Sequence, residues 1–194
     1  MKRNCRAILR LRGFLDSLMA ASAAVLFLIL FGCSIGEPKI QPKDIDFVFS
    51  CKADVSAGGQ SFTVELNRAG PMNATVKVVS GSGSGLAWYW NGQSFAQTYQ
   101  GLSAESGKCV FPQGAFASVL VDALDEAGKQ DALTRVGGNV FSGSCEDGDY
   151  TLTADGSTGD ITQISVPGWK ISAKLYGYDQ PTLSTDVVRD YEKE

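Results

Sequence analysis

A mainly β fold of the α+β class, an antiparallel sheet with one main helix packed on it, is what the sequence predicts, and three observations predict it. Apolar and polar residues alternate through most of the chain after residue 44. Gly, Asn and Pro punctuate those runs at hairpin spacing. The three-and-four spacing of an amphipathic helix is visible once.

In chain order, Ile45, Phe47, Phe49, Cys51, Ala53 and Val55 alternate with Asp46, Ser50, Lys52, Asp54 and Ser56, so one face of this first strand is buried. Gly58-Gly59 turns the chain into Phe62, Val64 and Leu66, and Ala69-Gly70-Pro71 turns it again into Val76 and Val78, an antiparallel meander. A Gly/Ser stretch from Ser80 to Gly85 follows, within which Ser82-Gly-Ser-Gly85 is expected as a flexible connection. Leu86 to Trp90 and Gln93 to Tyr99 flank Asn91-Gly92, the pair that supplies the positive φ angles of a two-residue type I′ turn. That turn would set Trp88 opposite Phe95 and place Leu86, Trp88, Trp90, Phe95 and Tyr99 on one face. Such a face either builds core or lines a ligand site.

Phe116, Val119, Leu120, Ala123, Leu124 and Ala127 mark the helix, expected over residues 112 to 127 between Pro112 and Gly128. Period two returns from Tyr150 to Ala154, from Ile161 to Val166, and in Trp169, Ile171, Ala173 and Leu175. Residues 179–194 read as a polar tail, frayed or a short helix.

The N-terminus carries a different signal. Lys2, Arg3, Arg6, Arg10 and Arg12 precede an uncharged stretch from Leu18 to Phe31, about 14 residues long where a spanning helix needs roughly 20. This is an export signal, and Leu30-Phe31-Gly32-Cys33 resembles a lipobox. Gly32 is small enough for a peptidase that cuts before the cysteine, and Cys33 supplies the thiol that receives a diacylglyceryl group with chains such as palmitate. Two acyl chains anchor far more firmly than one, at about 0.8 kcal/mol per buried methylene. The alternatives are an uncleaved anchor and an ordinary signal peptide cut nearby. The expected organisation is a signal peptide over 1–32, a Pro-containing tether over 33–43, the β domain over 44–178 and the tail. Localisation follows as the extracytoplasmic face of a bacterial cell membrane.

Residues 1–32 hold five of the 17 basic residues and one of the 21 acidic ones, which leaves 12 against 20, about −8, in the rest. Nucleic acid and anionic headgroups, which demand a basic patch, are poor partners for such a chain. Cys51, Cys109 and Cys145 remain after Cys5 and Cys33 are set aside, an odd number with three possible pairings. Cys109 with Cys145 is the pairing favoured here, with Cys51 on the apolar side of its strand as a small hydrophobe.

With no histidine in the chain, Ser-His and Cys-His catalysis is excluded. Glu146, Asp147, Asp149, Asp155 and Asp160 form the acidic cluster, but the spacing lacks the alternating ligands of a calcium loop and Asp-Gly pairs are turn formers. Ser82-Gly-Ser-Gly85 lacks the Lys-Ser/Thr ending of a phosphate loop. No catalytic residue, metal site or cofactor is therefore expected, and no enzyme.

A lipobox and tether, a first strand with Phe47-Val-Phe49-Ser-Cys51, a meander, an aromatic strand ending in Trp90-Asn-Gly92, a Phe111-Pro112 entry to a helix and closing hairpins with Trp169-Lys-Ile171 together resemble the lipoprotein-carrier superfamily of LolA-like and LppX-like proteins. The resemblance covers residues 44 to 178. It implies a strongly curved sheet, an incomplete barrel closed on its concave side by helices, around a cavity for acyl chains. The leading functional expectation is then non-catalytic binding of a lipid or other apolar ligand. The alternative is a structural or protein-interaction lipoprotein with a filled core.

Overall fold

The computed structural model describes residues 40–106 and 115–181. The chain divides into a unit of Met1–Glu37 and a unit of Pro38–Glu194, and every described residue belongs to the second. The signal segment with Gly32 and Cys33, Cys109, the expected first helical residues 112–114 and the tail beyond Pro181 lie outside the described residues.

Among the described residues eleven strands form one antiparallel sheet: β1 Phe49–Ala57, β2 Gln60–Gly70, β3 Asn73–Gly81, β4 Ala87–Trp90, β5 Phe95–Tyr99, β6 Leu102–Ser106, β7 Thr134–Gly137, β8 Val140–Cys145, β9 Gly148–Ala154, β10 Ile161–Val166 and β11 Ile171–Asp179. The helix α1, Ala115–Ala127, lies between β6 and β7 in sequence. The spatial order is β6-β5-β4-β3-β2-β1-β11-β10-β9-β8-β7. Each half is a meander, and β1 pairs with β11 to join the halves at the centre. Strands β6 and β7 end up on opposite edges, so the sheet does not close, and the segment joining them brings α1 onto one face.

Period two fixes what that face carries. Cys51 lies opposite Leu66, Leu66 opposite Val76, and Val76 opposite Trp88, one apolar rung across four strands. In the other half Val55, Ala173, Ile164, Leu152 and Phe141 make a second. All nine of these side chains are buried, and each large one contributes about 1.5–3 kcal/mol on leaving water. Register shifts interrupt β1 against β11 between Ser50 and Lys52, and β2 against β3 between Thr63 and Val64. Shifts of this kind bend a strand and increase its twist, which helps curl the sheet around the helix.

Helix α1 buries Phe116, Val119, Leu120, Ala123, Leu124 and Ala127, the stripe expected from the sequence, and Ala117 and Val121 besides. It packs against β8 and β10. Phe116 also reaches the other half, stacked on Phe62 of β2 at 5.0 Å and edge-on to Trp88 of β4 at 5.3 Å.

Four expectations are corrected. The first strand begins at Phe49, because Pro42–Asp44 form a 3-10 turn and Ile45 and Phe47 precede the sheet. Ser82-Gly-Ser-Gly85 is a hydrogen-bonded turn directly after β3, with Gly85 N donating to Val78 O at 2.9 Å and Leu86 N to Gly83 O at 2.9 Å. Trp169 does not continue the buried face of β11; it ends the 3-10 turn Pro167–Trp169, and is 47% exposed. The fourth concerns the aromatic hairpin, where Phe95 pairs with Trp90 rather than Trp88. Asn91 Oδ1 accepts hydrogen bonds from Gln93 N and Ser94 N, both at 2.9 Å, and this side-chain turn stretches the loop from two residues to four. Gly92 alone of the pair has a positive φ, 85°, so a type I′ turn is not formed. Because the loop changes by an even number, the aromatic residues keep their common face.

Candidate functional site

The inner face of β4 and β5 carries Trp88 and Trp90 opposite Gln97 and Phe95. Trp90 stacks on Phe95 at 4.6 Å, and Trp88 Nε1 donates to Gln97 Oε1 at 3.0 Å, which satisfies an indole that is 1% exposed. Helix α1 crosses this face and divides the space over it.

On one side lies an apolar cleft of about 490 Å³, whose walls include Leu86, Trp88, Tyr99, Phe62, Leu102 and Phe116. Leu86 and Tyr99 stand at its margin, half-buried and exposed respectively, while Trp88 forms its floor. On the other side a cleft of about 280 Å³ runs from Trp90 and Phe95 past Ser118, Val119 and Asp122 of α1 to Glu146, Asp147 and Trp169. All five aromatic or aliphatic residues expected to share a face therefore border a cleft, but not the same one. Leu86, Trp88 and Tyr99 belong to the first, Trp90 and Phe95 to the second. A wider opening of about 860 Å³ lies between the segment around Lys43, Ile45 and Phe47 and the chain after α1 at Lys129, Gln130 and Asp131.

Asp125 fixes the helix over these clefts. Its Oδ1 accepts from Arg68 Nη2 at 2.7 Å and Met72 N at 3.1 Å, and its Oδ2 from Trp90 Nε1 at 3.0 Å. One carboxylate thus ties α1 to β2, to the β2–β3 turn and to β4. Arg68 also donates through Nη1 to Phe47 O, and its guanidinium lies 5.8 Å from the centre of the Phe47 ring. Sequence reasoning missed both partners. The available signal was the period of β2: Val64 and Leu66 put residue 68 on the buried face, where an arginine demands an acid.

A carboxyl with a raised pKa lines the second cleft. Burial pushes Asp122 above the usual carboxylate range, the neighbouring acids Asp147, Glu126 and Glu146 push the same way, and a hydrogen bond from the Cys145 thiol opposes them. Its Oδ2 is sealed from solvent with no hydrogen-bond partner. Burial raises the Cys145 thiol to about 11, and its Sγ contacts Gly148 O at 3.4 Å. The expected partner, Cys109, lies outside the described residues. Cys51 is buried in the core between Phe49 and Ala53, as its place in the alternation requires.

Asp155 acts in a turn: its Oδ1 accepts from Ser157 Oγ at 2.5 Å, Ser157 N at 2.8 Å and Thr158 N at 3.0 Å, which lowers its pKa. Asp149 Oδ1 accepts from Ser144 Oγ at 2.9 Å across the β8–β9 pair. Among the described residues no group of three His, Cys, Asp or Glu side chains is placed to hold a metal ion. What the larger cleft offers chemically is mostly apolar surface with few polar groups, the composition of a binding site for an apolar molecule.

No protein-family model matches the chain, and no curated protein does. The chain is similar to a number of solved structures. A LolA superfamily protein from Nitrosomonas europaea superposes with a TM-score of 0.37 at 9% sequence identity, over 72% of this chain and 87% of that one. A DUF1329 family protein from Desulfovibrio piger gives 0.36 at 10% identity, over 71% of this chain and 86% of that one.

Proposed function

We propose that the protein is a membrane-anchored, extracytoplasmic lipoprotein, attached through lipidated Cys33, which binds a lipid or another apolar ligand without catalysing a reaction on it. The observation that carries the binding is the cleft of about 490 Å³ beside Leu86, Tyr99 and Leu102, whose side chains the core leaves half-buried or exposed above a floor formed by the buried Trp88. A volume of several hundred cubic ångströms falls within the range of small-molecule sites. The basic and apolar N-terminal segments ending in Gly32-Cys33 support the anchor. The absence of any histidine in the chain supports a role without acid–base chemistry.

A second reading, an interaction lipoprotein with a filled core, draws on Trp88, whose indole is packed edge-on against Phe116 and fully hydrogen-bonded in the manner of a core residue. Mass spectrometry of solvent extracts from the purified full-length protein separates the two. One co-purifying lipid or apolar compound per chain is expected, beyond the covalently attached acyl groups. Extracts that contain only the purification detergent at background ratio favour the filled core.

A further inference from the structure

The larger cleft carries no charge. Its polar side chains, Gln60, Ser82, Gln97, Tyr99 and Ser103, are all neutral, and among the described residues that line it there is no Asp, Glu, Lys or Arg. A charged group taken in here would lose its water without gaining a counter-ion. Size narrows the ligand further. A methylene takes about the room of a water molecule in the liquid, roughly 30 Å³. The cleft of about 490 Å³ therefore holds about 16 non-hydrogen atoms, one chain rather than the two chains and head group of a phospholipid.

Gln97 adds a polar requirement. It lies opposite Trp88 in the β4–β5 ladder, and its Oε1 accepts from the indole Nε1 at 3.0 Å. An indole N–H can only donate, so the amide oxygen is the atom that must face it, and this fixes which way round the amide sits. Its Nε2 then holds two N–H donors that have no hydrogen-bond partner among the described residues. Unlike Asp122 Oδ2, that nitrogen is not a sealed, unpaired atom. Water can serve it while the cleft is empty. A bare alkane would strip that water and return nothing, whereas a ligand with an acceptor oxygen restores the hydrogen bond, and an unpaired donor costs more than a made bond contributes.

We propose that the cleft selects an uncharged, single-chain molecule with a carbonyl group, such as a fatty-acid ester, its chain along Leu86, Leu102 and Phe116 and its carbonyl oxygen on Gln97 Nε2. The inference rests on the apolar-ligand reading above and adds to it the size and polarity of the ligand.

The test offers methyl tetradecanoate, tetradecane, tetradecanoate and a diacyl phosphatidylcholine in equal amounts to the full-length protein in non-ionic micelles, and measures what each chain retains after gel filtration and solvent extraction. Wild type should retain one ester per chain, above the carboxylate and the phospholipid. Gln97→Glu keeps an oxygen for the Trp88 indole but removes the amide donor, and should lower the ratio of ester to alkane about three- to tenfold, the worth of one neutral hydrogen bond. The infrared stretch of an ester isotope-labelled at its carbonyl should lie lower on wild type than in alkane solvent, a readout that holds even where Gln97→Glu does not fold. An unshifted stretch, or a ratio that folded Gln97→Glu leaves unchanged, overturns the role of Gln97. Carboxylate or phospholipid retained above the ester overturns the neutral, single-chain ligand. Apolar binding stands in each of these cases, whereas retention of none of the four removes the apolar-ligand reading itself.

Discussion

Arg68 and Asp125 form an ion pair across the interface between sheet and helix, Nη2 to Oδ1 at 2.7 Å, with Arg68 1% and Asp125 11% exposed. A pair so placed is worth little against a well-packed apolar replacement, yet removal of one partner strands the other charge. Asp125→Ala is expected to cost about 3–5 kcal/mol in urea denaturation, and Arg68→Met a similar amount. The double variant Arg68→Met/Asp125→Leu should recover most of the loss. Additive losses in the double variant would mean that each residue acts through its other contacts, Phe47 O for Arg68 and Trp90 and Met72 for Asp125.

Most of the architecture was legible in the sequence. Alternation placed Cys51, Val64, Leu66, Val76 and Ala173 on the buried face, and three-and-four spacing placed the stripe of α1. Strands β6, β7 and β8 were missed: β6 and β7 are short edges whose side chains are mostly exposed, and β8 fully buries only Phe141, so no apolar period marks them. The register of the aromatic hairpin was missed because the Asn91 side chain, not the backbone preference of Asn-Gly, decides the loop. In the candidate site, the shared aromatic face followed from period two alone. Its division by α1, the placement of Asp122 and the Arg68–Asp125 pair depend on contacts between residues far apart in sequence, which no local pattern encodes.

Alkaline pH should weaken the fold through Cys51. Burial, the largest cause, raises this thiol from its ordinary 9.0 to about 12, and the Tyr178 hydroxyl beside it is pushed up as well. A thiol with a raised folded pKa favours the folded state while it keeps its proton. That contribution is complete below the unfolded value near 9.0 and is lost as pH rises from there through about 12. The urea midpoint should therefore be level from pH 7 to 8.5 and fall from pH 9 to 11, with a shallower fall in Cys51→Ala. An identical fall in that variant would assign the effect to other groups.

Cys33→Ala is expected to abolish lipid attachment and leave the precursor uncut before residue 33, since the thiol is the acceptor and cleavage follows its modification. Detergent-phase partition and intact mass report the two events together. Equal mass loss and partition in wild type and variant would exclude Cys33 as the anchor.

Leu86 stands half-buried at the margin of the apolar cleft, after the turn that closes β3 onto β4, so a charge there spoils the cleft without emptying the core. Trp88 cannot serve the same purpose, because truncating a tryptophan so deeply packed costs about 3–5 kcal/mol by itself. The decisive measurement is ligand retention per chain in wild type and Leu86→Asp, read by native mass spectrometry of the full-length protein, with urea midpoints taken on the same samples. One apolar ligand per wild-type chain, lost in Leu86→Asp with a midpoint close to wild type, is the predicted result. No ligand on the wild type, or the same occupancy in both proteins, would contradict a binding role for the cleft.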